Sequence, residues 1–256
     1  MNHILDVTGL SKSYRVDGME LSVLQDIDLQ VEHGECVAIV GNSGCGKSTL
    51  LKIIAGLVPY ENGQVLCNGR NITGPGTDRG VVFQDHRLLP WLTIAENVGF
   101  GLKQTPRARK QQIISDYLKM VNLDGFEKAY PHQLSGGMSQ RAAIARALAG
   151  APEILLMDEP FGALDALTRI TLQQEMIRIR REQKKTVILI THDIDEAVFL
   201  GNRVIIMSER PGRILRTISI ELPLERDRAS SDFSYYVSRV YKHFFKDRST
   251  NEEYNI

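Results

Sequence analysis

The amino-acid sequence predicts an α/β fold: a core with a mainly parallel sheet, an N-terminal antiparallel β subdomain and an inserted helical subdomain. Three observations carry this. Short apolar runs bounded by turn residues, ECVAIVG (35–41), GVVFQ (80–84), EILLMDE (153–159), TVILITH (186–192) and RVIIM (203–207), read as buried strands that alternate with helical segments. The opening residues instead alternate apolar with polar positions, as half-exposed antiparallel strands do. From Leu88 to about Gly150 strand signals stop and helical patterns take over.

Taken in order, ILDVTGLSKSY and LSVLQDIDLQVEHGE surround the turn candidate GMEL, and QVLCNGRNI continues their pattern, so the antiparallel subdomain is expected over 1–35 and 60–80. The strand ECVAIV leads into the helix KSTLLKIIAGL. The helical subdomain, 88–150, contains RARKQQIISDYLKMV and LSGGMSQRAAIARAL, and GAP at 150–152 stops it because Gly and Pro both end helices. LTRITLQQEMIRIRREQ forms a further helix. The tail 223–256, which becomes SDFSYYVSRVYKHFF after LPLERDR, reads either as a terminal helix that packs through Phe233, Val237, Val240, Tyr241 and Phe244 or as a regulatory or partner-binding tail.

The 256 residues suit one large domain or a core with an insertion, and 31 basic residues balance 31 acidic ones, so overall charge gives no footprint for nucleic acid. Three cysteines, Cys36, Cys45 and Cys67, lack CxxC spacing, which supports neither a disulfide framework nor a zinc site and suits a reducing compartment. No run approaches the ~18 apolar residues that span a bilayer, and the N-terminus does not read as a secretion signal. A cytoplasmic protein that docks on a membrane partner is the expectation.

GNSGCGKST fits G-x-x-x-x-G-K-[ST] between a strand and a helix. Across Gly41, Asn42, Ser43, Gly44, Cys45, Gly46, Lys47, Ser48 and Thr49 the glycines let the backbone curl so that N–H groups face phosphate oxygens at a helix start. Lys47 then bridges the β and γ phosphates of ATP and Ser48 holds Mg²⁺. Cys45 is either an inert filler of this loop or a thiol made reactive by the helix terminus. Asp158 and Glu159 emerge together from ILLMD with side chains directed oppositely, so Asp158 is assigned to the Mg²⁺ shell and Glu159 to polarising the attacking water. Gln84 ends VVFQ and His192 ends VILITH. Ligands of open α/β sheets bind at the carboxyl ends of strands, so Gln84 reaches Mg²⁺ or the lytic water and His192 the γ-phosphate. Ser135, Gly136 and Gly137 precede a second helix, either as an ordinary cap or as a second anion site.

These motifs, with GALD after ILLMDEP, occur in the order and at about the separations found in ATPase subunits of ABC transporters, which the chain resembles over nearly its whole length. The resemblance implies a P-loop NTPase core within an ATPase domain over 1–222. It implies that Ser135, Gly136, Gly137 and Gln140 serve ATP held by a second copy or a homologous subunit, that Asp165 links the two sites, and that Tyr14 stacks on adenine. Tyr14 as a packed edge residue is the alternative. Met138 and Gly162 depart from the commonest LSGGQ and SALD forms and resemble bacterial importer variants. GPGTDRGVVFQDHRLLPWLTIAENVGFGL (74–102), SERPGRI (208–214) and LPLERDR are similar to the importer branch for nitrate, aliphatic sulfonates, taurine and bicarbonate. That branch implies a permease docked in a groove over 84–102, a solute-binding protein acting indirectly, and a peripheral position on the cytoplasmic face of the inner membrane. The competing class is a soluble ABC-type ATPase of DNA repair or translation; its coiled-coil arms or paired cassettes have no counterpart here, and a self-contained exporter would need membrane spans.

Overall fold

A computed structural model describes residues 3–162 and 164–252, with side chains through Phe245. In chain order the elements are β1 (Leu5–Val16), β2 (Met19–Val31), β3 (Cys36–Val40), α1 (Lys47–Ile54), β4 (Asn62–Cys67), β5 (Arg70–Asn71) and β6 (Arg79–Val82). There follow α2 (Ile94–Val98), α3 (Arg107–Met120), α4 (Gly136–Ala149), β7 (Ile154–Asp158), α5 (Ala166–Gln183), β8 (Thr186–Ile190), α6 (Ile194–Leu200), β9 (Arg203–Met207), β10 (Ile214–Ser219) and α7 (Ser231–Glu252). The described chain forms two compact units, one from the residues up to Pro75 with those from Thr186 onward, the other from Gly76–Lys185.

The first unit holds an antiparallel sheet in the order β2-β1-β4-β5 and the strands β10-β9-β3-β8 side by side. β3 runs parallel to both β8 and β9, whereas β10 pairs antiparallel with β9. All five residues of β3 and of β8 are buried, which is why both read as unbroken apolar runs rather than as alternating ones. β1 and β2, with one wet face, alternate instead. Leu51 and Ile54 of α1 and Val198 of α6 complete the buried core.

α7 docks through Phe233 and Val240, both buried, and Phe233 meets the edge of Phe199 of α6 at 6.4 Å. Tyr241, expected on the packed face, is exposed and stacks on Phe245, the residue one helical turn further, at 5.9 Å. The apolar stripe therefore outlasts the surface that buries it. Ahead of α7, Arg226 donates to the carbonyls of Val198 and Gly201 at the end of α6, and the Arg228 guanidinium lies 3.6 Å from the centroid of the Phe199 ring.

The second unit pairs β6 with β7 in parallel, Arg79 opposite Ile154 and Val82 opposite Met157. The residues between these strands carry only helices and loops among the described residues. Two boundaries differ from the sequence reading. β6 ends at Val82, two residues before Gln84, and its first residue, Arg79, belongs to the parallel pair although the expected antiparallel range ran to 80. The GVV run is apolar without alternation, and parallel pairing suits such a run. α4 approaches β6 closely: a Cβ on Gly80 would stand 2.8 Å from the Ala147 carbonyl oxygen, so only glycine fits there. The buried side of α4 sets small residues, Ala142, Ala143 and Ala145, beside Ile144 and Leu148.

Candidate functional site

In the first unit the carboxyl ends of β3 and β8 lie side by side, with Ile39 opposite Ile190 and Thr191 N–H donating to the Ile39 carbonyl at 3.2 Å. The turn after β3 and His192 after β8 thus emerge at one edge. The turn runs from Gly41 to Gly46, the residue that precedes α1, with φ at +77° for Gly44 and +107° for Gly46. An L side chain at Gly46 would combine that strained φ with a Cβ 2.7 Å from Leu24 and 2.9 Å from the Val23 carbonyl. Ser43 and Gly44 are exposed, Cys45 is buried, and Ser48 and Thr49 open α1 half-buried. The Lys47 ammonium is buried inside the turn and donates to the carbonyls of Gly41 at 2.8 Å and Asn42 at 2.9 Å. Both acceptors are neutral carbonyls, from which a stronger anionic acceptor can draw the ammonium.

His192 is exposed between the end of β8 and Asp193, which caps α6 by accepting from Glu196 N–H at 3.1 Å. Asp193 N–H donates in turn to the Thr191 hydroxyl, so the residues on either side of His192 are both fixed. Tyr14, 37 % exposed, stands near the end of β1, with the Lys12 ammonium 4.8 Å from its ring centroid and Lys12 paired with Glu61. The ring is supported and still accessible, geometry compatible with stacking.

In the second unit Gln84, exposed, follows β6, while Asp158 ends the neighbouring β7 and Glu159 follows it. Asp158 is buried and Glu159 half-buried. Glu159 has φ +46°, a left-handed conformation that costs a non-glycine residue energy and concentrates at functional sites. The sequence carried no signal of this strain.

Ser135 caps α4, its hydroxyl accepting from Met138 N–H at 3.3 Å. A Cβ on Gly136 would meet nothing within 4 Å, whereas one on Gly137 would strike Thr168 at 2.5 Å. Gly136 therefore leaves the helix start open, and Gly137 lets it lie against the first turn of α5. Asp165 caps α5 by accepting from Thr168 N–H at 3.1 Å, and hydrogen bonds from the Thr168 side chain and backbone hold its carboxyl below the ordinary aspartate range. Leu167 beside it is 78 % exposed. Gln140 turns the other way: it is buried and donates to the Phe83 carbonyl at 3.4 Å, next to Gln84. In this conformation its amide serves the interior of the unit rather than the open helix start.

The 85–93 loop reveals two residues the motif reading missed. Asn97, fully buried, accepts from Leu89 N–H at 2.8 Å and donates to the carbonyls of Leu89, Leu92 and Thr93. Arg146 donates to the carbonyls of Arg87 and His86, at 2.6 and 2.9 Å. Burial holds His86 below the ordinary imidazole range against the pull of Asp85, and the Arg146 charge lowers it further. The only hint in the sequence was a pair of polar residues placed on otherwise apolar helix faces. Leu88 is buried in the unit, while Trp91 is 70 % exposed.

Together, a phosphate-binding turn after one strand, a strand-end Asp-Glu pair and an open helix start define a P-loop nucleoside triphosphatase. Residues 24–162 match the family model described as ABC transporter. The chain belongs to that family, with its ATPase fold. It is 51 % identical over 234 residues to the aliphatic sulfonates import ATP-binding protein of Bacillus licheniformis, covering 91 % of each chain. The dimeric post-hydrolysis structure of the ATP-binding cassette MJ0796, bound to ADP and Pi, is 34 % identical with a TM-score of 0.76, covering 86 % of this chain and all of that one. A cassette of Clostridium perfringens described as part of the transporter complex cbiONQ is 27 % identical, TM-score 0.76, covering 86 % of this chain and 90 % of that one.

Proposed function

We propose that this chain is the energy-coupling ATPase subunit of an importer for aliphatic sulfonates or a related small anion such as nitrate, taurine or bicarbonate, seated against its permease on the cytoplasmic face of the membrane. The observation that carries the reading is the coexistence of two separate glycine-flanked helix starts, GNSGCGKST and LSGG, in a chain 51 % identical to an aliphatic sulfonates import ATP-binding protein. One start grips the chain's own ATP. The other, with Ser135, Gly136 and Gly137 at its open end, serves the ATP of a second subunit, and exposed Leu167 beside Asp165 is an apolar group that such a partner would cover. Trp91, exposed on the loop that Asn97 and Arg146 hold rigid, is the corresponding contact for the permease within 84–102.

In the reaction Lys47 binds the β and γ phosphates, Tyr14 positions adenine, Glu159 orients and polarises the attacking water, and His192 holds the γ-phosphate. The oxygen donors Ser48, Asp158 and Gln84 suit Mg²⁺, which prefers such ligands and takes the rest of its shell from phosphate and water. Bound there, it would neutralise phosphate charge. ATP closes the pair of subunits, closure moves the permease, and hydrolysis resets both. A solute-binding protein selects the cargo without touching this chain. The reading as a soluble ATPase of DNA repair or translation gains no support, since the relatives above are described as transporter components.

Lys47→Ala is expected to weaken ATP binding about 10- to 100-fold, as loss of a charge-assisted hydrogen bond to phosphate implies, in a titration with fluorescent nucleotide. For the cargo, the chain reconstituted with its co-purifying permease in liposomes is expected to hydrolyse ATP faster when a sulfonate-loaded binding protein is supplied. Stimulation by none of the four anion classes would remove the importer assignment.

A further inference from the structure

The turn joining β9 to β10, Ser208–Arg213, is the SERPGR part of the importer-branch element and has no role in the reaction described above. It reaches the phosphate-binding turn at two points. The Arg210 guanidinium donates through Nε at 3.2 Å and Nη2 at 3.0 Å to one acceptor, the Gly44 carbonyl. Glu209 accepts from the Asn42 side-chain amide at 2.8 Å. The residues on both sides of Ser43 are therefore held from outside by two consecutive residues of another loop.

We infer that Arg210, assisted by Glu209, is a positioning residue that presets the phosphate-binding turn for the β-phosphate of ATP and ADP. A trans peptide sets its C=O and N–H in opposite directions. Holding the Gly44 carbonyl toward Arg210 aims Cys45 N–H away from it, into the turn, where that N–H now donates to the Asn42 carbonyl at 3.3 Å. Without the guanidinium this peptide keeps only the long Cys45 N–H bond to Asn42, and Gly44, at φ +77°, has no side chain to restrain it further.

The brace is itself stiff. The Ser208 hydroxyl accepts from Arg213 N–H at 2.9 Å and lies within donating distance of the Glu209 and Pro211 carbonyls. Gly212 N–H donates to the Val23 carbonyl, Gln25 N–H to the Gly212 carbonyl, and the Arg213 guanidinium to Gln25 Oε1 at 2.6 Å. A Cβ on Gly212 would stand 2.1 Å from the Cys45 carbonyl oxygen, so the two loops lie backbone to backbone. When phosphate enters, Lys47 exchanges the carbonyls of Gly41 and Asn42 for the ligand, and the outer contacts at Asn42 and Gly44 keep the ring open through that exchange. Preorganisation of this kind acts on affinity rather than on the chemical step.

The inference rests on the nucleotide reading of residues 41–49, and the test separates the two. In the full chain, Arg210→Ala is expected to raise the dissociation constants of ATP and ADP together by about tenfold, as when the unbraced turn holds its binding conformation only about a tenth of the time, and to raise KM for ATP in step with kcat falling less than about twofold. Arg210→Lys, which offers one point donor in place of a fork, recovers part of that loss, and Glu209→Ala shows a smaller loss of the same sign. The melting temperature without nucleotide stays within about 0.5 °C of the parent, under the shift of about 2 °C that a 1 kcal/mol loss of stability produces in a chain of this length. Unchanged affinity in Arg210→Ala overturns the inference, as does a fall in kcat at constant KM or a loss of nucleotide-free stability parallel to the loss of affinity. Lys47→Ala runs alongside: if it too leaves affinity unchanged, the phosphate-binding assignment itself has failed.

Discussion

Glu159→Gln is expected to lower ATP turnover about a hundredfold or more while leaving ATP binding intact, and to accumulate as a dimer that ATP holds together. The substitution isolates charge. Glutamine keeps the length and shape of the side chain, and it meets the same cost at φ +46° that glutamate already bears, so the backbone has no new reason to relax. What disappears is the anionic acceptor for a proton of the attacking water. Asp158, one residue earlier and buried at the end of β7, keeps its carboxylate, the one proposed above for Mg²⁺. Size-exclusion chromatography with ATP, alongside phosphate release, reads both halves of the expectation. A Glu159→Gln chain that turns over at the parent rate takes this residue out of the water-activating role.

Ser135→Arg is expected to abolish hydrolysis, by about a hundredfold or more, while the isolated chain still binds ATP. Ser135 and Gly136 stand exposed at the start of α4, and Gly136 faces open space, so a long cationic side chain has room to grow into the position a partner's γ-phosphate would take. The mutation also removes the cap on Met138 N–H, a loss worth about 1 kcal/mol, and Ser135→Ala measures that part separately. Mixing provides the sharper readout. A Ser135→Arg chain paired with a Lys47→Ala chain contains one site in which an intact phosphate-binding turn faces an intact signature. Activity in the mixture above the sum of the two variants is therefore expected. If Ser135→Arg alone cannot bind ATP as a monomer, the serine serves its own chain's nucleotide and the shared-site reading falls.

Much of this was legible in the residues. β3, β7, β8 and β9 were visible as apolar runs because both faces of each are buried, and a fully buried strand leaves no room for polar positions. The phosphate-binding turn was visible because its geometry demands glycines at fixed places; Gly46 shows the demand directly, through its φ of +107° and the crowding against Leu24. Strand ends were less legible. Gln84 lies two residues beyond β6, since hydropathy marks where burial ends and not where pairing does. The tail was readable as a helix, yet periodicity overstated its packed face at Tyr241, because a repeat cannot say how much surface lies opposite.

Local chemistry, written in short contiguous motifs, was thus fixed by the order of residues: which turn cradles phosphate, which carboxylates end a strand, which helix begins with an open cap. Tertiary structure decided what these motifs lean on. The left-handed backbone of Glu159, the inward amide of Gln140 and the grip of Asn97 on the 86–93 loop depend on the surrounding packing. The contact of Arg210 with Gly44 joins residues 166 positions apart. Motifs announce themselves because a reacting group needs particular neighbours along the chain, whereas a brace needs only a donor at the right point in space, and folding can bring that donor from anywhere in the sequence.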